Sequence, residues 1–355
     1  MATKSAAKNL ATKEAIWPGL EAGVPKPLMP YSPAIRAGDW VFIAGLIASD
    51  FQTGLAPEVV NSNSYLDNEL ALQSNFVLRN LASTIKACDC DINKNMVRMW
   101  QWLVSENPSQ SDFHKGDNWP SMTLKPYLNI RDSIVNSPAP PSSYLGVREL
   151  LCLGTALEVD MICLDDEHQP QIIEAPKGIS TASGGHSCGM RRGDWVFLAA
   201  ENAADLITAT EGSTQWHVDS VEAQAEHILE KLSAIAKASG SSLAKAVKAD
   251  VYIGHPSDFA GMDKVWKRYF PDNPPARVVI PYMGMGHKGN RIEIALTLLT
   301  NDATIKAQTI KTPDAPKPLG HEPQAVKAGD LLFFSTQMAF DSTGNLADGM
   351  VRHPS

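Results

Sequence analysis

The sequence has few cysteines, no excess of basic residues and no long apolar run. Its five cysteines are irregularly spaced, which makes a poor disulfide framework and favours free thiols in a reducing compartment. The net charge of −8 and the absence of a Lys/Arg run give no support to nucleic-acid binding. No stretch of about 18 apolar residues occurs, and the N-terminus has no apolar signal core. We therefore expect a cytoplasmic protein with no membrane partner.

Metal-ligand and nucleotide-binding motifs are also missing from the sequence. The histidines are scattered without a metal-ligand spacing such as H-x-x-x-H, so we expect no metal and no cofactor. Gly284 and Gly286 lack the strand–turn–helix context of a dinucleotide fingerprint. Apolar residues make up 44% and charged residues 20% of the chain, as in an ordinary soluble globular protein. The length of 355 residues predicts two or three domains.

One strand signature occurs three times along the chain. Residues 35–45 read IRAGDWVFIAG, residues 190–200 read MRRGDWVFLAA and residues 326–336 read VKAGDLLFFST. Gly-Asp suits a tight turn, and the apolar run that follows suits a buried strand. The spacings of 155 residues (35 to 190) and 136 residues (190 to 326) are each about one domain long. The chain is therefore predicted to repeat one module.

The segments after the first two signatures predict the order β-β-α-β-α-β-β, with both helices on one face of a mixed sheet. The third copy ends after its opening hairpin, and a lone hairpin is at best marginal in water. We expect it to pair with a downstream piece, another domain or another chain. The predicted organisation is an N-terminal extension (1–24), a first unit (25–165), a linker (166–185), a second unit (186–300), a second linker (301–319) and the hairpin of a third unit (320–355).

Four short motifs follow one another in an order typical of one protein family. They are Pro30-Tyr31-Ser32-Pro33-Ala34 and, in the second unit, DFAGMD (258–263), Pro275-Ala276-Arg277 and Arg291-Ile292-Glu293-Ile294. These motifs resemble the P-Y-S-x-A, D-F-x-x-x-N, P-A-R and x-I-E-I segments of the RidA family, also called the YjgF or endoribonuclease L-PSP family. The resemblance covers residues 25–165 and 175–300 and the start of the third unit.

The resemblance implies an α/β (α+β) fold of repeated chorismate-mutase-like RidA modules, packed as a pseudo-trimer with clefts between units. The chemistry it implies is hydrolysis of reactive imines and enamines with release of ammonia, without a metal. The P-A-R arginine would grip a substrate carboxylate, which suits a guanidinium with two parallel donors. The I-E-I glutamate would position water, and desolvation can bring its pKa towards neutrality.

Candidate residues follow from the resemblance. Glu293 and Glu158 would be catalytic, and the substrate-binding candidates would be Arg277, Tyr31, Gly45, Asp263, His287 and Lys288. Asp263 stands where the family has asparagine, which would place an acid beside the anion site. His287 and Lys288 lie in the loop between the two closing strands, near the expected cleft. We expect a small anionic or amide-containing substrate and either a homo-oligomer or a complex with a chain that completes the third unit.

The first unit has lost the arginine of the P-A-R motif. Aligning PPSS (140–143) with PPAR (274–277) places Ser143 at the position of Arg277, while Glu158 is retained. Three functions stay open. The leading one is a metal-free hydrolase of a small carbon–nitrogen substrate. The second is an amide or lactam hydrolase with Ser142 or Ser143 as nucleophile and Glu158, a lysine or a histidine as base. The third is a non-catalytic binding or assembly protein.

Overall fold

The computed structural model describes residues 12–60, 68–106, 111, 123–180, 184–210, 220–282 and 289–345. The helices are α1 (Glu69–Ala87), α2 (Lys125–Ile134), α3 (Ala204–Thr210), α4 (Val221–Ala238) and α5 (Phe259–Tyr269). The strands are β1 (Lys13–Ile16), β2 (Ala34–Ala37), β3 (Trp40–Ile47), β4 (Met96–Val104), β5 (Ser142–Val147), β6 (Leu157–Leu164), β7 (Gln171–Ile173), β8 (Gly189–Arg192), β9 (Trp195–Glu201), β10 (Ala246–Ile253), β11 (Ala276–Pro281), β12 (Ile292–Leu299), β13 (Ala307–Ile310), β14 (Ala325–Ala328) and β15 (Leu331–Phe334).

The strands form two six-stranded sheets of the same topology and one three-stranded sheet. The orders are β1-β2-β3-β6-β4-β5, β7-β8-β9-β12-β10-β11 and β13-β14-β15. We call the first sheet with α1 and α2 the first module, and the second sheet with α3, α4 and α5 the second module. The three-stranded sheet, which we call the third sheet, repeats only the first three strands. The expected fold class of repeated RidA-like modules is confirmed.

The long helices form because their ends are capped and their apolar residues face the sheet. Asn68 caps α1 by accepting from the Ala71 amide at 3.0 Å, and Ser220 caps α4 by accepting from the Ala223 amide at 3.1 Å. Helix α1 packs on β3 and β6, and α4 packs on β9 and β12. Each helix thus covers one face of its sheet and leaves the other face for contacts between modules.

The N-terminal extension and both expected linkers contain short strands, which corrects the predicted organisation. Strands β1, β7 and β13 lie inside 1–24, 166–185 and 301–319, and each pairs antiparallel with the strand that opens its module. Their sequences KEAI, QII and AQTI are short and largely exposed. Edge strands of this kind carry no apolar alternation, so the sequence pattern does not reveal them.

The open faces of the three sheets meet in a common apolar core. Trp40 and Trp195 occupy equivalent positions and contact edge to face, with ring centroids 5.1 Å apart, and Trp195 contacts Phe333 of the third sheet at 6.2 Å. Aromatic pairs of this geometry stabilise a core beyond the area that they bury. The third hairpin is therefore packed against the second module through this face.

The same hydrogen bond occurs between the first and second modules and between the second module and the third sheet. Arg98 of β4 donates to the Leu198 carbonyl of the second module at 3.3 Å, and Lys248 of β10 donates to the Phe334 carbonyl of the third sheet at 3.3 Å. Both donors and both acceptors stand at equivalent positions of the repeat. The third sheet therefore sits on the second module as the second module sits on the first, which is the pseudo-trimeric arrangement.

The described helices do not include one that is long and apolar enough to cross a membrane. All five cysteines are free thiols, and four of them are buried.

Candidate functional site

The strand registers decide which serine of the first module stands at the position of Arg277. Arg277 lies beside Ala249 of β10, and Ser142 lies beside Met99, the equivalent residue of β4. The equivalent of Arg277 is therefore Ser142, and the expectation of Ser143 is corrected by one residue. Because side chains alternate along a strand, Ser143 points to the opposite face of the sheet.

Arg277 is fully buried between the second module and the third sheet. Its Nη2 donates to Asp263 Oδ1 at 2.7 Å and to the carboxylate of Glu322. The guanidinium carbon lies 4.9 Å from the ring centroid of Trp266, and a Cβ at Gly320 would lie 2.3 Å from Nη2. The arginine expected to grip a substrate carboxylate is held by two carboxylates of the chain itself.

A second buried guanidinium lies between the first and second modules. Arg131 of α2 is fully buried, and its Nη1 donates to the Tyr144 hydroxyl and to the Gly184 carbonyl, the latter at 2.7 Å. Its Nη2 donates to Asp132 at 2.6 Å and to the Gly185 carbonyl at 3.4 Å. This guanidinium is saturated by internal acceptors, and the sequence analysis did not single it out.

The two guanidinium groups reach corresponding clefts from different elements. At the end of α2 the Val135 amide donates to the Arg131 carbonyl, and at the end of α5 the Phe270 amide donates to the Trp266 carbonyl. Arg131 and Trp266 therefore stand at equivalent positions of the two helices. The first module carries its arginine on the helix and a serine on the strand, whereas the second carries its arginine on the strand. Both clefts are closed by an internal cation.

Neither candidate serine has a catalytic base beside it. The Ser142 hydroxyl donates to the Pro140 carbonyl at 2.7 Å, and the Ser143 hydroxyl accepts from Arg98. Both serines are fully buried. Across the described ranges, the hydrogen bonds of the two hydroxyls include no glutamate, lysine or histidine, so the geometry gives a serine nucleophile no support.

Glu293 is buried at the contact of the first two modules, away from the partners of Arg277. Its Oε1 accepts from Asn202 at 3.2 Å, and the positive charge of Arg98 in the first module also acts on it. Desolvation raises the pKa of Glu293 to about 8, against the opposing effects of Asn202 and Arg98. The described contacts do not join Glu293 to Arg277, which the sequence placed in one site.

Glu158, the equivalent of Glu293, is half-buried on β6, between β3 and β4 of the first module. Its Oε1 sits directly over Gly45, where a Cβ would lie only 1.9 Å away. Tyr31 and Gly45 line a small pocket beside this carboxylate, which we call the Glu158 crevice. The pKa of the Tyr31 hydroxyl is raised by desolvation and then by the charge of Glu158. Desolvation also raises the pKa of Glu158. The structure thus brings together Tyr31, Gly45 and Glu158.

Cys152 lies near enough to Tyr31 to act on it electrostatically, and sequence reasoning missed it. Its charge is among the causes that raise the Tyr31 pKa, and its Sγ lies 3.4 Å from the Ser49 hydroxyl. The equal spacing of the closing strands places Cys152 at the position of His287. His287 and Lys288 themselves lie outside the described residues. No His/Cys/Asp/Glu group suited to a metal occurs in the described part of the chain.

An apolar cavity of about 380 Å³ lies between the second module and the third sheet. Its walls include Ile253, Val279, Pro281, Leu319, Met338 and Phe340. Glu322 also reaches this cavity, but its carboxylate is paired with Arg277. The cavity is therefore largely apolar, and Lys317 is the cationic side chain among its described lining residues.

Comparison with known proteins supports the architecture. The family model described as endoribonuclease L-PSP matches residues 177–299. A RutC family protein of Pyrococcus horikoshii is 32% identical over 106 residues, which are 30% of this chain and 77% of that protein. A rat protein named 2-iminobutanoate/2-iminopropanoate deaminase is 35% identical over 74 residues, 21% of this chain and 53% of that protein. A chorismatase crystal structure matches 75% of this chain and 76% of its own, with a TM-score of 0.50 and 14% identity, so it shares the fold.

Proposed function

The chain belongs to the endoribonuclease L-PSP family, which includes the RutC proteins, and from this membership we propose that it hydrolyses a small carbon–nitrogen substrate of the imine or enamine type. The observation that carries the proposal is the crevice of Glu158, Gly45 and Tyr31. Among the modules it alone combines the family's tyrosine, glycine and glutamate. One relative is named 2-iminobutanoate/2-iminopropanoate deaminase and another Reactive Intermediate Deaminase A, which supports this class of reaction.

The geometry suits proton transfer to and from water. An imine carbon is already electrophilic, so the protein has to orient a water molecule and move protons. Glu158 takes a proton from the water as its oxygen bonds to the C=N carbon, and the proton passes to nitrogen. A second transfer from the new hydroxyl to nitrogen breaks the C–N bond. Imine and water together give a carbonyl compound and ammonia.

Gly45 is what lets the carboxylate of Glu158 lie in the crevice. A Cβ at this position would collide with Oε1 at 1.9 Å and with Cδ at 2.8 Å. The second module has Ala200 at the equivalent position, and there Glu293 turns to Asn202 and is buried. Burial keeps Glu293 from water, whereas Glu158 is half-exposed and desolvated enough to have a raised pKa.

The test compares two isosteric variants of the full chain. A 2-imino acid is generated in the assay by an amino acid oxidase, and the rate of ammonia release is followed. Glu158→Gln is expected to lower the protein-dependent rate by about 100-fold, the usual contribution of a general base. Glu293→Gln serves as the matched control and is expected to keep the rate. Equal rates for the wild-type protein and Glu158→Gln would remove this function.

A binding or assembly role is the second candidate, and the internal pairing of Arg277 and Arg131 favours it. Two of the three corresponding clefts have lost a free cation for a carboxylate ligand. In that case neither the wild-type chain nor Gly45→Ala would show ammonia release above the buffer rate. This outcome separates the two candidates in the same assay.

A further inference from the structure

The third sheet leaves one face and one edge unpartnered in the described chain. Strand β15 corresponds to β3 and β9, and in the sheet orders these pair with the closing strands β6 and β12. The outer edge of β15 has no partner strand among the described residues. We propose that this surface binds a polypeptide segment with the helix–strand–helix–strand–strand pattern of residues 220–299, which completes a third module. The proposal extends the proposed function, since it names what closes the Glu158 crevice.

The exposed side chains of β15 are those that a helix covers in the other modules. Leu332 is 46% exposed and Phe334 is 57% exposed. The equivalent residues of the first module, Val41 and Ile43, are 0% and 5% exposed under α1, and those of the second module are fully buried under α4. Two adjacent large apolar side chains at such exposure mark a contact surface rather than a solvated edge.

The opposite face of β15 already packs against the second module. Phe333 packs on Trp195, and the Phe334 carbonyl accepts from Lys248 as the Leu198 carbonyl accepts from Arg98. The hairpin is thus held in the register that a complete module needs. A preorganised surface of this kind lowers the ordering cost of binding a partner.

The residues that follow β15 correspond to ones that contact a helix and a closing strand. Gln337 and Met338 stand at the positions of Glu201 and Asn202. Glu201 pairs with Lys231 of α4 at 3.0 Å, and Asn202 bonds to Glu293 of β12. In the third sheet, Gln337 and Met338 line the apolar cavity instead. The cavity therefore lies where a partner's helix and closing strand would enter.

The repeat also shows where such a partner would reach. Strand β11 of the second module places Arg277 against Glu322, and strand β5 of the first module places Tyr144 against His186, with ring centroids 5.3 Å apart. Glu322 and His186 are the equivalents of Tyr31, by the 136- and 155-residue spacings. The corresponding strand of the partner would therefore face Tyr31 and close the Glu158 crevice.

The experiment supplies the proposed segment as an extension of the chain. The 136-residue spacing makes the residue after Ser355 equivalent to Ser220, so a copy of residues 220–300 is fused directly after Ser355. Hydrogen exchange of the amides of 331–334 is compared in the extended and parent chains. We expect exchange to slow by more than about 100-fold in the extended chain, because an edge strand becomes an internal one. Unchanged exchange would overturn the proposal.

Two variants of the extended chain keep the result specific. Leu332→Asp with Phe334→Asp should abolish the protection of 331–334, while the thermal stability of the parent chain stays unchanged because both side chains are exposed there. Ile172→Asp, on the edge strand β7 and 42% exposed, is the matched control and should leave the protection intact. Retained protection in the double variant would overturn the proposal.

The readouts separate this proposal from the proposed function. Protection of the amides of 331–334 without any rise in ammonia release would support the proposed binding surface and contradict the deaminase function. Protection together with a rise that depends on Glu158 would support both. If the amides of 331–334 in the parent chain, without the extension, became protected as the protein concentration rises, a second copy of the chain would occupy the surface. The proposal of a completing segment would then be wrong.

Discussion

Glu293→Gln should stabilise the protein and remove part of its pH dependence. Glu293 is 5% exposed, and desolvation raises its pKa from 4.5 to about 8. The variant keeps the side-chain shape and an oxygen that accepts from Asn202, but it cannot ionise. The change therefore tests the cost of a buried carboxylate with little change in packing.

The sign and size of the effect follow from the two pKa values. Below about pH 4.5 the carboxyl is protonated in both folded and unfolded chains, so wild type and variant should have equal stability. Between about pH 4.5 and 8 the unfolded chain ionises first, and the free energy of unfolding falls by about 1.4 kcal/mol per pH unit. At pH 7 the variant should be more stable by roughly 3 kcal/mol, and above pH 8 the difference becomes constant.

Thermal unfolding followed by circular dichroism from pH 4.5 to 9 measures this difference. Other buried acids titrate as well, among them Asp160, whose pKa is raised to about 7 by desolvation. Their contributions cancel when Glu293→Gln is compared with the wild-type protein. Glu174→Gln, at an exposed position, is the control and should follow the wild-type curve. If Glu293→Gln and the wild-type protein lost stability equally as the pH rises from 4.5 to 8, the desolvation argument would be refuted.

Two further substitutions test the crevice and the buried arginine. Gly45→Ala should displace the Glu158 carboxylate and lower ammonia release by about 100-fold, while unfolding changes by less than about 1 kcal/mol because only a side-chain end has to move; an unchanged rate would contradict the assigned position of Glu158. Arg277→Met removes the cation that pairs with the buried Glu322 and leaves Asp263 with only the exposed Lys267, so it should destabilise the chain by about 3–5 kcal/mol. Adding Glu322→Gln should recover part of this loss, and a stable Arg277→Met protein that no longer turns over substrate would instead assign Arg277 to substrate binding.

The repeated signature was sufficient to predict the fold, because buried strands must be apolar wherever the module recurs. The alignment of PPSS with PPAR and the I-E-I resemblance placed Glu158 and Glu293 at equivalent positions, and the paired registers agree with that placement. The alignment of the Ser-Ser pair was off by one residue because PPSS and PPAR contain no residue that distinguishes the two faces of a strand. Only the pairing of Ser142 with Met99 decides the register.

The roles of the buried arginines could not be predicted from sequence spacing. Arg131 lies on a helix in a segment without a family motif, and its acceptors include two backbone carbonyls of the next module. Glu322 follows Arg277 by 45 residues, across a segment expected to be a linker. Contacts between modules depend on how whole sheets pack, and local periodicity carries no information about that packing.

The three equivalent positions Tyr31, His186 and Glu322 explain why the clefts differ. Glu322 is an acid and takes Arg277 as its counter-ion, so that cleft closes on itself. Desolvation lowers the pKa of His186 to about 3, which leaves a neutral ring beside Tyr144 and the saturated Arg131. Tyr31 is an uncharged donor that neither captures an arginine nor repels one. Of the three positions, it therefore borders a crevice in which a carboxylate can remain available to a small ligand.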